Sequence, residues 1–318
     1  EVILMDDGYG NVTRTETSRS YIVINRQPKV STVTTSTEID NLDGSHTISS
    51  YEGWSSRPSI VQYSYDERGR LVGAEEVQSE VIIIDDGYGN VTRTEAKRTY
   101  RVIIGQPKVD TVTTHTETDN IDGSHSISSH EEWTSQDSIV HYTYDDRGRL
   151  IGAEEVQPEI VLIVDAFGNV ARTETIRAYE IIKGQAKSDT VTTTAEVHNI
   201  DGSKAITISK LNYEYDPETT RLMGVRNASL GSGSVTLNGV TVEYNGREDE
   251  AITVGVDSFG NYYVSNVENH YLSPREAKGK TLIEWTKATT NSTNLDGSRS
   301  QTVSYLHYNY NPETGRLE

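Results

Sequence analysis

The sequence has no cysteine, only two phenylalanines and two methionines, and no apolar run near the ~18 residues of a membrane span. The lack of cysteine excludes disulfides and thiol chemistry but decides no compartment. Phosphate-binding loops, serine nucleophile elbows and metalloprotease helices are also missing, and we therefore expect no enzyme. With no signal peptide at its start, we expect the chain to be a mature form or an excised segment.

Charge is mainly of one sign, with 29 basic and 48 acidic residues, a net charge of −19 and a pI near 4.8. This balance disfavours nucleic acid and anionic membrane surfaces as partners. Hydrophobic residues make up 34% of the chain, which indicates a thin core. Tyrosine supplies 19 of the aromatic residues and suits half-buried sheet surfaces, because its hydroxyl can stay at the edge of a packed face.

One phrase recurs four times and organises the rest of the chain. It reads IVQYSYDERGRL at 60–71, IVHYTYDDRGRL at 139–150, LNYEYDPETTRL at 211–222 and LHYNYNPETGRL at 306–317. Tyr142 and Tyr144 alternate with Thr143, which is the spacing of a strand. The residues DDRG that follow are typical of a turn, because Gly148 adopts positive φ without strain. The phrase predicts a β-hairpin with a tyrosine ladder and a charged tip.

Around this phrase the sequence repeats every 79 residues, starting at Glu1, Glu80 and Glu159. We predict four copies, at 1–79, 80–158, 159–249 and 250–318. Each copy carries two further turn phrases: DDGYGN or its variants at 6–11, 85–90, 165–169 and 257–261, and N(L/I)DGS at 41–45, 120–124, 199–203 and 294–298. The segments between them are rich in Thr and Val and lack helical spacing, and Gly105-Gln106-Pro107 is expected to break the chain. The prediction is an all-β, elongated array of tandem hairpin repeats, with about six strands per copy and several strands near 12 residues.

The third copy differs from the first two. It lacks the segment that contains Trp54 and Trp133, and it carries an insertion at 227–249. Within the insertion, SVTLNGVTVEY predicts an extra hairpin from its Asn-Gly turn between alternating apolar residues. We expect either a tolerated surface loop or a lateral assembly contact, which would use its apolar side chains Leu237, Val240, Val242 and Tyr244.

The phrase YxYDxxGRL at 63–71 and 142–150 resembles the YD repeat of Rhs and teneurin-like bacterial surface and toxin-shell proteins. The whole 79-residue unit, with its DGYGN, NIDGS and YDDRGRLIGA phrases, is similar to tandem arrays in very large bacterial surface proteins. The resemblance implies an extracellular, all-β, structural role. YD repeats of the Rhs type have a shorter period than 79 residues, which argues against a toxin-enclosing shell.

The two extremities of the pattern look unfinished. Val2, Ile3, Leu4 and Met5 form a bare apolar strand, and the last hairpin stops before a full return strand. Unpaired edges recruit partner strands. We therefore expect Val2–Met5 of one subunit to complete the sheet of the next at its C-terminal hairpin, in an open head-to-tail homopolymer. The residues expected at that hairpin are Tyr308, Tyr310, Arg316 and Leu317. A longer array cut at repeat boundaries would leave the same ends.

Other side chains offer weaker chemical signals. The adjacent pairs Glu75-Glu76 and Glu154-Glu155 are expected to be solvated edge charges. Among the possible metal ligands His115, His125, His130 and His141, only His125 has a histidine, His46, at the matching position of copy 1, so no repeat-encoded metal site is expected. The Asp-Gly turns around Asp6, Asp85 and Asp122 could bind Ca²⁺, although turn formation alone explains their composition. Asn-x-Ser/Thr triplets, which permit glycosylation in a secreted protein, begin at Asn11, Asn90, Asn227 and Asn291.

Taken together, these patterns predict a structural segment of an extracellular or cell-surface filament. The alternative is an adhesin stalk or carbohydrate-binding module, with the inserted hairpin, Trp54 and Trp133 as its contact points. The size of the chain in dilute solution separates the two, because a filament subunit forms a concentration-dependent polymer and an adhesin stays a monomer.

Overall fold

The computed structural model describes residues 1–7, 10–246, 250–273, 276–277, 281–311, 313–314 and 316–317. In these ranges the chain folds into antiparallel β-hairpins and contains no helix, which confirms the all-β repeat prediction. The described residues therefore include no helix that is long and apolar enough to cross a membrane. Parts of the turn phrases at 6–11 and 306–317, and the end of the insertion, lie outside the described residues.

The first two copies contain the same eight strands. In copy 1 they are β1 Val2–Asp6, β2 Val12–Ile24, β3 Gln27–Asp40, β4 His46–Ile48, β5 Ser50–Tyr51, β6 Trp54–Ser55, β7 Ser59–Tyr65 and β8 Leu71–Gln78. In copy 2 they are β9 Glu80–Asp85, β10 Val91–Ile103, β11 Gln106–Asp119, β12 His125–Ile127, β13 Ser129–His130, β14 Trp133–Thr134, β15 Ser138–Tyr144 and β16 Leu150–Gln157.

Copies 3 and 4 have fewer and longer strands. They are β17 Glu159–Val164, β18 Val170–Ile182, β19 Gln185–His198, β20 Lys204–Tyr215, β21 Leu222–Asn227, β22 Gly231–Leu237, β23 Val240–Gly246, β24 Glu250–Val256, β25 Tyr262–Tyr271, β26 Ile283–Thr293 and β27 Arg299–His307. Strand β20 runs through 12 residues because copy 3 lacks the Trp segment that separates β4 from β7 in copy 1.

Two expectations about local structure need correction. The prediction of about six strands per copy was wrong for copies 1 and 2, because the Trp segment forms a small hairpin of its own, β5–β6 or β13–β14. The residues Gly105-Gln106-Pro107 do not break the sheet. Ile104 and Gly105 form a tight turn with positive φ at both, and Pro107 already pairs with Val102 across it. Proline is tolerated there because it follows the turn directly.

The turn phrases that the structure describes in full form as predicted, and their side chains explain why. In the tip of the β15–β16 hairpin, the Asp145 carboxylate accepts hydrogen bonds from the Arg149 backbone amide at 2.8 Å and from Arg149 Nε at 2.7 Å, and Gly148 has φ 73°. In the turn before β10, the Asn90 amide donates to Asp86 at 2.6 Å, and Asn90 Oδ1 accepts from the Ile121 backbone amide at 3.2 Å. The first and second turn phrases of a copy are therefore held together.

By packing, the chain divides into two compact units. Unit 1 comprises Glu1–Ile121, Gln136–Glu159 and Tyr179–Lys187, and unit 2 comprises Asp122–Ser135, Ile160–Ala178 and Ser188–Glu318. A core cluster of unit 1 is centred on Val81, Ile83 and Val91. A core cluster of unit 2 contains Ile252, Val254 and Val256 together with apolar residues of β22 and β23. Both clusters include the first strand of a copy, β9 or β24. This strand is buried by side chains from the preceding copy.

Candidate assembly surface

The first strand of copies 2, 3 and 4 pairs along its outer edge with a strand of the preceding copy. The pairs are β4 with β9, β12 with β17, and β20 with β24. All three use one register, in which Ile48 lies opposite Ile83, Ile127 opposite Leu162, and Ile206 opposite Val254. Antiparallel register fixes which side chains share a face. The repeat therefore encodes a reusable junction between consecutive copies.

A small hairpin of copy 1 covers the face of the first strand of copy 2. Trp54 and Tyr51 of the β5–β6 hairpin, with ring centroids 5.9 Å apart, pack with Ile48 against Val81 and Ile83. Trp54, one of the contact points expected for a binding module, is half-buried in this cover, and its role as a contact point stays a prediction.

The inserted hairpin takes the same role in copy 3. Leu237 and Val242 of β22–β23 are each 3% exposed and belong to the core cluster around Ile252, while Val240 and Tyr244 pack against it. The sequence left open whether these residues form a lateral assembly contact. The structure places Leu237 and Val242 in the core of unit 2 and packs Val240 and Tyr244 against it, because the insertion supplies the apolar cover that the Trp segment supplies in copy 1.

In copy 1 the equivalent strand is β1, and among the described residues it has neither a strand along its outer edge nor a hairpin over its apolar face. Among the described strands it pairs with β2 alone. Val2 and Leu4 are 53% and 68% exposed, whereas Val81 and Ile83 at the matching positions are 2% and 0% exposed. Burying one such side chain is worth about 1.5–3 kcal/mol, so β1 presents an apolar surface suited to a partner.

Strand β27 presents a second open edge. It follows the NLDGS turn, as β20 follows NIDGS in copy 3, and all nine of its residues are exposed. It pairs with β26, whereas β20 pairs with β19, β21 and β24. The chain therefore carries both halves of the repeat junction, a first strand and a post-turn strand, with their outer edges exposed.

The last hairpin residues predicted for assembly lie close to this edge. Tyr310 pairs with Leu317, and its hydroxyl donates to the Ile283 carbonyl at 2.9 Å. The Tyr308 amide donates to the Glu284 carbonyl at 2.9 Å, and the Arg316 carbonyl accepts from the Asn311 amide at 2.7 Å. The hairpin therefore forms, and the exposed edge lies upstream of it in β27.

The Asn-x-Ser/Thr asparagines occupy different environments. Asn227 is 3% exposed and accepts a hydrogen bond from the Tyr271 hydroxyl at 3.2 Å. Asn11 and Asn90 donate their side-chain amides to Asp7 and Asp86 within their turns. Asn291 is exposed on β26 and accepts from Gln301 at 2.9 Å.

The acidic turns use their carboxylates as hydrogen-bond acceptors. Asp122 accepts from the Ser124 amide and hydroxyl, and Asp85 accepts from the Gly87 amide. The predicted histidines are dispersed: His115 bonds to Asp137 at 2.7 Å, and His125 approaches the Gly123 carbonyl at 3.3 Å. Within the described ranges, no group of three His, Asp or Glu side chains is placed to hold a metal ion.

Glu76 contradicts the expectation of a solvated charge. Its side chain is 0% exposed and faces Arg98 of β10, which donates to it from both the backbone amide and Nη1. Arg98 Nη2 also pairs with Glu80 at 3.0 Å, and the Ser59 hydroxyl donates to Glu76 at 2.5 Å. A signal of this buried network was present in the sequence, because Arg19, Arg98 and Arg177 recur at the repeat spacing as do Glu1, Glu80 and Glu159.

The tyrosine ladder lies beside this network. Burial raises the pKa of Tyr63 and Tyr142 above the ordinary value, and burial together with the Glu76 carboxylate raises the pKa of Tyr100 to about 12. These hydroxyls therefore stay protonated at neutral pH. The Tyr65 hydroxyl donates to the Val30 carbonyl at 2.8 Å, which ties the repeated hairpin to the long strand β3.

Acid is expected to weaken the turns. The Asn169 and Asn261 side chains donate to Asp165 and Asp257 and hold the pKa of each carboxyl below its ordinary value. A lowered pKa in the folded state adds stability above the unfolded value near 3.9, and this stability is lost as pH falls through the folded value. We expect the melting temperature to fall on acidification from pH 5 to pH 2.

Changing Asp165 and Asp257 together to Asn should lower the melting temperature at pH 7 and flatten its acid dependence. Asp146→Asn, at an exposed position of a hairpin tip, is the control for loss of a surface carboxylate and should leave the acid limb unaltered. An unchanged acid limb in the double variant would contradict this assignment.

Comparisons with known proteins give no family for the chain. No family model and no curated protein matches it. Among solved structures it is similar to a chain in the crystal structure of TcdB2-TccC3-Cdc42, with 11% identity and a TM-score of 0.14. It is also similar to chains in TcdB2-TccC3 without its hypervariable C-terminal region and in a Photorhabdus luminescens Tc holotoxin pore, each with 12% identity and a TM-score of 0.13.

Each of these similarities covers 99% of this chain and 20% of the other chain, so the chain spans about a fifth of the solved chains it matches. TM-scores of this size do not establish a shared fold. The repeating all-β hairpins are consistent with YD repeats, and the YD-repeat resemblance itself stays a prediction.

Proposed function

We propose that the chain is a structural segment of an extracellular filament that extends head to tail by pairing β1 of one subunit with β27 of another. The observation that carries the proposal is the single register shared by the three internal junctions, of which β1 and β27 are the exposed counterparts. The extracellular location rests on the resemblance of the repeat phrases to those of bacterial surface proteins.

The internal junctions predict the register between subunits residue by residue. Lys204 lies opposite Val256 and Ile206 opposite Val254 in the β20–β24 pair. By repeat equivalence, Arg299 would lie opposite Asp6 and Gln301 opposite Leu4 of the next subunit. The first of these pairs places opposite charges across the junction, which favours the pairing.

Disulfide trapping tests this register, since the native chain has no cysteine. Mixing a Leu4→Cys variant with a Gln301→Cys variant under mild oxidation should give a covalent dimer, because directly opposed residues lie within disulfide distance. Thr302→Cys is the matched control, because its side chain projects to the other face and should crosslink poorly with Leu4→Cys.

Assembly is measured in parallel by sedimentation and electron microscopy. The native chain should form larger species as its concentration rises, and Leu4→Lys should reduce this association, because a charge on an edge strand opposes pairing. A native chain that stays monomeric at every concentration, or a crosslink equally strong at Thr302, would overturn the proposal. A stable monomer with affinity for a glycan would point to the adhesin instead.

A further inference from the structure

In copy 2, the hairpin that covers the first strand β9 has side chains that suit the residues around that strand. There, Tyr51 and Trp54 pack against Val81 and Ile83, and burial together with the nearby Asp119 carboxylate at the end of β11 raises the pKa of the Tyr51 hydroxyl. Asp85 at the end of β9 also acts electrostatically on this hydroxyl. A tyrosine can donate its O–H to such a carboxylate while its ring stays packed. This cover therefore fits an acidic rim, meaning the carboxylates at the ends of the neighbouring strands.

In unit 2, the corresponding hairpin belongs to copy 2 and the corresponding strand end to copy 3. The two differ from those of unit 1 at one position each. His198 occupies the position of Asp119, and the equivalent hairpin has His130 in place of Tyr51 but keeps the glutamate and the tryptophan, as Glu131 and Trp133. The Trp133 and His198 rings lie 4.1 Å apart, and Glu131 comes within 4.0 Å of His198. Cover and rim thus change together: Tyr51 accompanies Asp119, and His130 accompanies His198, while the glutamate and the tryptophan of the hairpin are the same in both.

Copy 1 has the acidic type of rim around its open first strand. Asp40 occupies the position of Asp119, Asp6 that of Asp85, and Val2 and Leu4 those of Val81 and Ile83. Asp40 is exposed, as are Val2 and Leu4. The surface therefore has the apolar strand and the carboxylate that the Tyr51–Trp54 hairpin contacts in copy 2.

We propose that the exposed face of β1 binds a tyrosine–tryptophan hairpin of the Tyr51–Trp54 type, carried by a repeat of the copy 1 kind. This inference rests on the proposed role of β1 as a docking strand and names the partner that fits it best. Strand β27 supplies an edge alone, whereas a repeat of this kind supplies its post-turn strand and its cover in one continuous segment. Such a repeat would therefore bind β1 more tightly than β27 does.

Two synthetic peptides test the match against the full 318-residue chain at a concentration where it is monomeric. One is the segment 41–57, which contains the turn, the post-turn strand and the Tyr–Trp hairpin. The other is the same segment with Tyr51→His. Fluorescence polarisation of the labelled peptides should give at least about tenfold tighter binding for the native segment, the effect of a lost hydrogen bond to a charged group. A third peptide with Trp54→Ala should weaken binding by a similar factor.

A change on the chain serves as the reciprocal control. Asp40→His gives copy 1 the rim residue of copy 3, a change that the repeat itself accommodates as His198. It should weaken binding of the native peptide and reduce or reverse the preference over the Tyr51→His peptide. Leu4→Lys should weaken both peptides alike, because it alters the apolar face that both cover.

The outcomes separate this inference from the proposed function. If the chain assembles and crosslinks through Gln301 but binds no peptide, the inference fails and the filament proposal stands. If the native peptide binds with the expected preference while the chain stays monomeric, the filament proposal fails and the docking face stands. Equal binding of the native and Tyr51→His peptides, unaffected by Asp40→His, would overturn the matching of cover to rim.

Discussion

Replacing Arg98 with alanine is expected to lower the free energy of unfolding of unit 1 by about 3–5 kcal/mol, the usual cost of removing one partner of a buried ion pair. The reason is the position of Glu76, whose carboxylate has no exposed surface and receives Arg98 from two directions. Without the guanidinium, Glu76 and the largely buried Glu80 would both lose the ion pair that Arg98 provides. Urea unfolding followed by tyrosine and tryptophan fluorescence measures the loss.

Arg19 provides a matched control within the same chain. It occupies the equivalent position in copy 1 and pairs with Glu1 at 3.0 Å, but both side chains are substantially exposed. Exposed pairs of this kind contribute about 0–1 kcal/mol, so Arg19→Ala should be close to neutral. Equal losses for the two variants would show that burial of Glu76 does not control the effect.

Replacing Leu237 with alanine is expected to destabilise unit 2 by about 2–5 kcal/mol, the range for truncating a buried leucine. Leu237 packs in the cluster that contains Ile252, Val254 and Val256, so its loss leaves a cavity between the inserted hairpin and the first strand of copy 4. Thermal or urea unfolding of the purified variant measures the change.

Thr236 is the control for this second variant, because it precedes Leu237 on β22 and projects to the solvent side. Thr236→Ala should change stability by less than about 0.5 kcal/mol, as surface substitutions usually do. If Leu237→Ala left stability unchanged and instead reduced assembly, the insertion would be a lateral contact and not a cover.

The repeat phrases illustrate how far local sequence carries a prediction. The hairpin at 139–150 depends on alternating tyrosines and on an Asp-Arg-Gly turn, and both signals act within a dozen residues. The inserted hairpin at 234–244 is equally local, and the structure forms it as β22–β23. By contrast, local sequence does not identify the turn at Ile104-Gly105, because an isoleucine at positive φ is disfavoured by its own side chain and is held there by the ladder on either side.

The environment of a side chain was harder to predict than its strand. Glu75-Glu76 shows the difference, because adjacent residues on a strand point to opposite faces and only one of these faces is covered. Arg98, which decides that Glu76 is an ion-paired core residue, is 22 residues away in the chain. Trp54 is similar, since its neighbours Val81 and Ile83 belong to the next copy.

The amino-acid sequence by itself determined the long strands, the turns of the repeat phrases and the 79-residue period, because these depend on interactions between residues that are close along the chain. Only the tertiary structure decided which faces are covered, which glutamate is buried, and that the Trp segment and the inserted hairpin have the same covering role. Those properties arise from contacts between one copy and the next, where the free energy of burial depends on a partner surface that no local pattern specifies.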